Sequence, residues 1–375
     1  MLSTKIGILG GGQLGLMLLQ ASVDWNLDIS VLDGDPDAPC SKLAPHFQQG
    51  SIQDFDTVYA FGKGLDLITV EIEKVNIDAL EALEKEGKQV YPQPSVLRII
   101  QDKRVQKQFY QDHGIATAPF VLTDSRADVR SNAAMLPAFH KLGKDGYDGQ
   151  GVRKIATADD FESAFDAPGV LEKAIPFEKE LAVIVARRPG GEVRTFPVVE
   201  MAFHPEKHLV EYLFAPASVT REVEDKAVTL AVEVAEALGI TGLLAVEMFL
   251  TKEGDVLVNE VAPRPHNSGH HTIRANVTSQ YEQHWRAILD LPLGDTSSFS
   301  PAAMVNLLGE PGFEGPARYE GIEKLLAEKA VFPFLYGKKI TKPFRKMGHV
   351  TVMSENLELL TEKVDFVKSN IRVIS

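Results

Sequence analysis

Two glutamates, Glu247 and Glu260, lie in the stretch from 242 to 271, GLLAVEMFLTKEGDVLVNEVAPRPHNSGHH. Two apolar runs flank a short turn at Glu253-Gly254, the pattern of a β-hairpin. With a two-residue loop, partners across the hairpin carry numbers that sum to 507, and Glu247 faces Glu260. Like charges directly opposite on a mostly apolar face repel unless a cation joins them, and a hard divalent ion with oxygen ligands suits that role. A shift of one residue would send the two carboxylates to opposite faces. Arg264, His266, Asn267, His270 and His271 follow as a dense polar run. A solvent-exposed hairpin edge with scattered charges has the same residues and stays open at this point.

The elements around the hairpin have to decide between these. A chain of 375 residues is long for a single core, and two or three domains are expected. Its charged and apolar fractions are those of an ordinary soluble globular protein. Acidic residues outnumber basic ones, 52 against 39, for a formal charge of -13. That balance argues against a general footprint for nucleic acid or an anionic membrane, and neither partner is expected. Cys40 is the single cysteine, so no intrachain disulfide forms and a reducing compartment follows. The sequence opens directly into a strand without a signal peptide and holds no apolar run of membrane-spanning length, so a cytoplasmic location is expected.

Residues 5 to 9, KIGIL, read as a buried strand, followed by GGGQLG at 10 to 15 and a run with helical apolar spacing. Gly10, Gly12 and Gly15 satisfy G-x-G-x-x-G, which allows a tight turn and close approach of a phosphate to a helix N-terminus. The next strand ends in Asp33, where a nicotinamide enzyme holds its ribose, so a dinucleotide-dependent reductase competes here. A further strand is expected to end at Glu71 and Glu73, before a helix at 76 to 86. Alternating strands and helices indicate a parallel sheet with its ligand site at the carboxyl ends, which would place Gln13 and Glu71 there.

Two short helices then end at Gly114. The strand LPAFHKL at 136 to 142 runs into GKDGYDGQG, 143 to 151, where four glycines in nine residues exclude a stable helix or strand interior. Glycine loops between strands close over phosphates because bare backbone N–H groups reach the oxygens. Lys141, Lys144 and Asp148 accompany a loop longer than a plain hairpin needs. Glu172 and Glu180 bracket a polar break between two strands, and a helix at 220 to 238 stops at Gly239.

The glycine-rich βα unit, the lysine before G-Y-D-G-x-G, the run E-K-x-I-x-F-E-K-E-L, and paired glutamates ending in N-E-V-A-P-R-P-H-N-S-G-H together resemble the ATP-grasp superfamily. Within it the chain closely resembles the 5-(carboxyamino)imidazole ribonucleotide synthetase family, from Lys5 to about Val352. The resemblance implies an α/β and α+β fold of ATP-grasp architecture. It has a Rossmann-like parallel-sheet domain at 1–95, an ATP-grasp domain at 96–298 with a lid subdomain at about 115–175, and a small β-rich C-terminal domain at 299–375. It also implies an ATP-dependent ligase that carboxylates 5-aminoimidazole ribonucleotide with bicarbonate, and a homodimer.

The same resemblance implies roles for individual residues. Lys103 and Lys141 match the basic contacts to ATP phosphates; Glu172, Lys173, Ala174 and Ile175 match the adenosine segment, Glu180 the ribose carboxylate, and Asn259 and Glu260 further ATP contacts. Glu247 and Glu260 match the magnesium ligands, with manganese as an alternative. Gln13, Glu71, Tyr147, Asn267 and Arg345 match the ribonucleotide site, and Asp148, Arg264, His266 and Lys346 the catalytic positions. A guanidinium suits bicarbonate or carboxyphosphate, and an imidazole of ordinary pKa, ~6.5, suits proton movement. The chain departs from the family at Leu16, Asp145, Gln150, Lys342 and Phe344, the last standing where glycine is usual. Competing functions are a formate-using or amino-acid-using ligase on the same fold, the nicotinamide reductase, and a non-catalytic nucleotide-binding protein.

Overall fold

The computed structural model describes residues 4–144, 146, 151–203 and 210–375. The expectations for Asp145, Tyr147, Asp148 and Gln150 therefore lie outside the described residues. The N-terminal part is a parallel sheet of five strands, β1 (Lys5–Leu9), β2 (Asp28–Asp33), β3 (His46–Gln49), β4 (Leu67–Val70) and β5 (Gln89–Val90), in the order β3-β2-β1-β4-β5. Its central strands are continuous apolar runs because both faces are covered, as in other parallel sheets; all four residues of β4 are buried. The order reverses between β1 and β4, so their carboxyl ends flank a crevice. Into it run the glycine turn that starts α1 (Gln13–Ser22) and, from β4, Glu71. The strand stops at Val70, short of the two glutamates expected to end it.

Two further sheets face each other across the middle of the chain. The smaller has four strands, β6 (Phe120–Thr123), β7 (Ala138–Leu142), β8 (Val152–Ile155) and β9 (Gly169–Lys173), in the order β6-β9-β7-β8. The larger has nine. From one edge it runs β15 (Val256–Ala262), β14 (Gly242–Thr251), β10 (Phe177–Arg187), β12 (Val199–Phe203), β13 (Val210–Ala215) and β16 (Ala302–Leu308), then strands Lys346–Met353 and Val331–Leu335; short β11 (Val193–Thr195) pairs with β10. Residues 174–176 carry the chain from the small sheet to the large one.

Period-two alternation along β10 explains what each face does. Leu181, Val183 and Val185 join Val246 and Met248 under the helix Arg221–Leu238, in one core with Leu230, Ala231, Val234 and Ala235. Glu247 of β14 and the even residues of β10 therefore point to the opposite face, where Ile184 and Ala186 pack against Ala287 and Leu293 and leave Glu180 and Glu247 as its carboxylates. The helix ends where expected, with Gly239 left-handed at φ 59°.

The C-terminal strands form no separate large sheet. β13 pairs with β16 from Tyr212↔Val305 to Ala215↔Ala302, so the central sheet continues into the C-terminal part. The N-terminal sheet is docked by buried polar contacts: Trp285 Nε1 donates to the Leu18 carbonyl of α1 at 2.9 Å, and His284 Nε2 lies 2.9 Å from Thr69 Oγ1 of β4.

Candidate active site

Glu247 and Glu260 are direct partners across β14 and β15. The hairpin reaches this pairing by a different route from the two-residue loop expected of the sequence. Thr251 N–H donates to the Asp255 carbonyl and Gly254 N–H to the Thr251 carbonyl, which leaves three loop residues, with Gly254 left-handed at φ 84°. Pairs near the turn, such as Leu250↔Val256 and Met248↔Val258, are thus one residue short of the expected register. A β-bulge then inserts Asn259 between Val258 and Glu260 and restores it.

The bulge also turns two adjacent side chains into the same cleft. Glu260 Oε1 lies 3.4 Å from Lys103 Nζ, while Asn259 Oδ1 accepts from Lys141 Nζ at 3.4 Å. Lys103 opens the helix Lys103–Asp112, and Lys141 lies on β7. Glu172 of β9 sits between the cations: its Oε2 accepts from Lys141 at 2.9 Å and lies 3.5 Å from Lys107 Nζ. Burial works against this carboxylate, but Lys141 and Lys107 outweigh it and hold its pKa below the usual range. Lys103 in turn holds Glu260 low, and Glu260 raises Lys103.

Glu247 behaves oppositely. Burial, then the neighbouring Glu260 and Glu180, push its pKa up to about 8. Glu180 pairs with Phe249, the second residue beyond Glu247 on β14, so the two carboxylates are diagonal neighbours on one face. Burial raises Glu180 to about 7. The opposed pair Glu247 and Glu260, one of them holding its proton near neutrality, is a donor set that a divalent cation fits by displacing that proton. Among the described residues no group of three or more His, Cys, Asp and Glu side chains converges as a full cage.

Arg264 connects this cleft to the N-terminal crevice. Its Nε lies 2.9 Å from Glu73 Oε1, and its Nη1 donates to the Pro265 carbonyl at 3.0 Å. Glu71 is turned inward instead: Gly12 N–H donates to its Oε1 at 2.8 Å and Gly15 N–H to its Oε2 at 2.9 Å. Burial raises its pKa even so. Gly11 N–H donates to Asp33 Oδ2 at 2.6 Å. The amides that a dinucleotide phosphate would use are thus held by carboxylates of the chain, and Asp33 serves the turn rather than a ribose. Gln13 begins α1 beside them, half-buried.

His266 corrects the expectation of an imidazole of ordinary pKa. Burial, then Arg264 and Lys346, lower it to about 3, so the ring is neutral at physiological pH. Ser268 N–H donates to His266 Nδ1, which leaves the proton on Nε2, 3.2 Å from Glu247 Oε1. Both ends of the Asn267 amide are taken by Asn306 of β16, at 2.9 and 3.1 Å. Lys346 starts the strand Lys346–Met353, half-buried and close enough to lower the Glu247 pKa. Arg345 Nη1 donates to the Ile340 carbonyl at 2.6 Å. Lys173, Ala174 and Ile175 end β9 and enter the link between the sheets, with Ala174 N–H donating to the Pro137 carbonyl at 2.9 Å.

Three family models match successive parts of the chain: the ribonucleotide synthetase preATP-grasp domain over residues 3–101, the ATP-grasp domain over 108–281, and the phosphoribosylaminoimidazole carboxylase C-terminal domain over 302–363. The N5-carboxyaminoimidazole ribonucleotide synthase of Bacillus subtilis is 38% identical over 93% of this chain and 91% of its own length. The chain belongs to the N5-carboxyaminoimidazole ribonucleotide synthase family. The family crystal structure from Thermotoga maritima is 42% identical, with a TM-score of 0.92 over 99% of both chains. A family structure from Aspergillus clavatus, in complex with ADP and 5-aminoimidazole ribonucleotide, is 32% identical, with a TM-score of 0.87 over 97% of this chain and 99% of that one. The chloroplastic phosphoribosylaminoimidazole carboxylase of Vigna aconitifolia is 39% identical, and the chain spans 64% of its length. Among the described residues no helix is long and apolar enough to cross a membrane.

Sequence reasoning missed two charged members of the cleft. Lys107 is 2% exposed and lies one helical turn beyond Lys103 on the same face, a spacing that was visible. Glu73 was placed only as a strand end, whereas it is the partner of Arg264.

Proposed function

We propose that the chain carboxylates 5-aminoimidazole ribonucleotide on its exocyclic amine, using ATP and bicarbonate, in purine biosynthesis. The observation that carries this is the cleft itself. Glu247 and Glu260 face each other beside Lys103, Lys141 and Glu172, and Arg264 reaches from the same hairpin to the second crevice. The Aspergillus relative with ADP and 5-aminoimidazole ribonucleotide supports a two-substrate reading of these adjoining spaces.

Lys103 and Lys141 bind and orient the ATP phosphates, and the segment from Glu172 to Ile175 with Glu180 holds the nucleoside. A magnesium ion on Glu247 and Glu260, with manganese as an alternative, would neutralise phosphate charge as the terminal phosphoryl group moves. An oxygen of bicarbonate attacks the terminal phosphorus while its bond to the ADP oxygen breaks, giving carboxyphosphate. Arg264, fixed by Glu73, positions the planar oxyanion. Carboxyphosphate releases carbon dioxide and phosphate; the amine nitrogen bonds to the carbon and passes its proton to the released phosphate. His266 donates from Nε2 and orients Glu247, since a ring with so low a pKa is no proton donor near neutrality. Catalysis is then mostly positioning and electrostatics. Gln13, Glu71 and Asn267 support the ribonucleotide side, and Arg345 and Lys346 its phosphate. The family resemblance adds Tyr147 to the ribonucleotide contacts and Asp148 to the catalytic positions.

A homodimer, which rests on the family resemblance, and a cytoplasmic location, which rests on the single cysteine Cys40 and a reducing compartment, complete this reading; the mass in solution tests the first. For the reaction, a single-turnover assay should show carboxylated product and phosphate only with ATP, bicarbonate, magnesium and the ribonucleotide together. Equal ATP hydrolysis with and without the ribonucleotide, and no carboxylated product, would overturn the assignment. Formate in place of bicarbonate separates the nearest competing ligase.

A further inference from the structure

Lys107 is a buried cation with no access to any ligand, yet it sits one contact away from the nucleotide cleft. Its side chain is 2% exposed, and its Nζ donates to Thr117 Oγ1 at 2.6 Å and lies 3.5 Å from Glu172 Oε2. Thr117 Oγ1 donates onward to the Val258 carbonyl at 2.6 Å, next to the bulge that carries Asn259 and Glu260. The ammonium also faces the Tyr110 ring at 5.9 Å. A fully buried lysine is costly, and a hydrophobic side chain of similar length would fill the same space without that cost. Structural need alone does not explain the charge.

The charge balance around Glu172 does. One buried carboxylate faces two ammonium groups, Lys141 at 2.9 Å and Lys107 at 3.5 Å. Lys107 offsets the carboxylate from behind, so the cluster presents a net positive charge through Lys141, which is 13% exposed toward the cleft. Without Lys107, Glu172 and Lys141 would close into a neutral pair, and Lys141 would have little charge to offer an anion.

We propose that Lys107 is a positioning residue for polyphosphate binding: by neutralising Glu172 from inside the core, it keeps the Lys141 ammonium available to the phosphates of the nucleotide. This rests on the assignment of the cleft as an ATP site and adds to it a residue that never touches ATP. It separates charge from packing, because adenosine uses the same cleft without presenting phosphate oxygens.

Calorimetric titration of the full chain with ATP and, separately, with adenosine tests this. Lys107→Met is expected to weaken ATP about tenfold while changing adenosine by less than about threefold. In turnover, KM for ATP should rise more than kcat falls. Because an unpaired buried Glu172 could prevent the single variant from folding, the double variant Lys107→Met with Glu172→Gln is measured alongside. It removes both buried charges, so the ratio of ATP to adenosine affinity should return to within about threefold of the wild-type ratio. An unchanged ratio in Lys107→Met, or a ratio in the double variant lowered about tenfold from wild type, overturns the inference. Failure of the wild-type chain to bind ATP with magnesium would instead overturn the nucleotide assignment, and this inference with it.

Discussion

Glu247 and Glu260 face each other because two irregularities of the hairpin cancel: a three-residue loop displaces the register by one, and the bulge at Asn259 returns it. Burial, joined by this pairing, lets Glu247 keep its proton near neutrality, and that proton is what the proposed cation would displace. Glu247→Gln should make the metal-free protein more stable than wild type at pH 7, by up to about 3–4 kcal/mol, since the amide resembles the protonated acid while wild type must take up a proton to fold at that pH. It should lower turnover about 10²-fold or more. The sign with pH follows from a folded pKa of about 8, above the unfolded carboxylate value of about 4.3. Glu247 stabilises the fold fully below the lower value, and that contribution is lost as pH rises through 8. Urea unfolding from pH 6 to 9 without metal should therefore show wild type losing stability relative to the variant, and magnesium should restore it only in wild type. Parallel curves for the two proteins would remove the basis for this shared proton.

Arg264 is held by Glu73 at 2.9 Å, across the boundary between the two crevices. Lysine has the charge but not the planar fork. Arg264→Lys is expected to reduce kcat about 10²-fold with KM for ATP changed less than about threefold. Steady-state kinetics with bicarbonate and ATP varied separately check this, and near-wild-type kcat would exclude a role in holding the oxyanion.

Phe344 occupies a left-handed position, φ 63°, in the turn after Pro343, where Arg345 N–H donates to the Lys342 carbonyl. Proline followed by a left-handed residue is the pattern of a type II turn, whose third residue favours glycine. Replacing Phe344 by Gly and by Ala removes the ring in both cases and leaves only the backbone difference. The glycine variant should be the more stable by about 1 kcal/mol in chemical denaturation. Equal stabilities would mean that the turn relaxes out of the left-handed region.

Four buried histidines outside the carboxylate cluster share one pH dependence. Burial lowers His284 and His349 to about 3 and His271 to about 4, and burial with the nearby His349 holds His270 well below its usual value. A histidine with a depressed folded pKa contributes stability that is complete above about 6.5 and is lost as pH falls toward the folded value. His349 stacks on Phe334 at 5.1 Å and lies against His270 at 4.7 Å, between the central and C-terminal strands. His349→Phe should make stability between pH 6.5 and 5 less steep by up to about 1.4 kcal/mol per pH unit. An unchanged slope would show that this ring does not take up a proton on unfolding.

What could be read from the sequence divides along physical lines. The opposed glutamates and the helix ending at Gly239 rest on local spacing, and the structure has both. Local spacing also misled: the turn was one residue longer than it read, and only the compensating bulge preserved the conclusion. Lys107 lay on the same helical face as Lys103, yet its burial depends on Thr117 and Glu172, which other segments supply. Glu71 read as a strand end open to ligand because its two donors, Gly12 and Gly15, lie 59 and 56 residues away. The depressed pKa of His266 comes first from burial, then from Arg264 and Lys346; Arg264 lies two residues away in the sequence, but neither the burial nor the approach of Lys346 is set by local spacing. The pairing of β13 with β16, which joins the C-terminal strands to the central sheet, spans a still wider gap in the chain.

The inward turn of Glu71 bears on how two phosphate-carrying substrates avoid each other's places. Helix α1 would ordinarily attract a polyphosphate at its first turn, but Gly12 and Gly15 already bind a carboxylate that arrives from β4. The chain thus plugs its own decoy site. A nucleotide reaching the first βα unit meets occupied donors and a fixed acidic group, and the lysine-lined cleft is left as its berth.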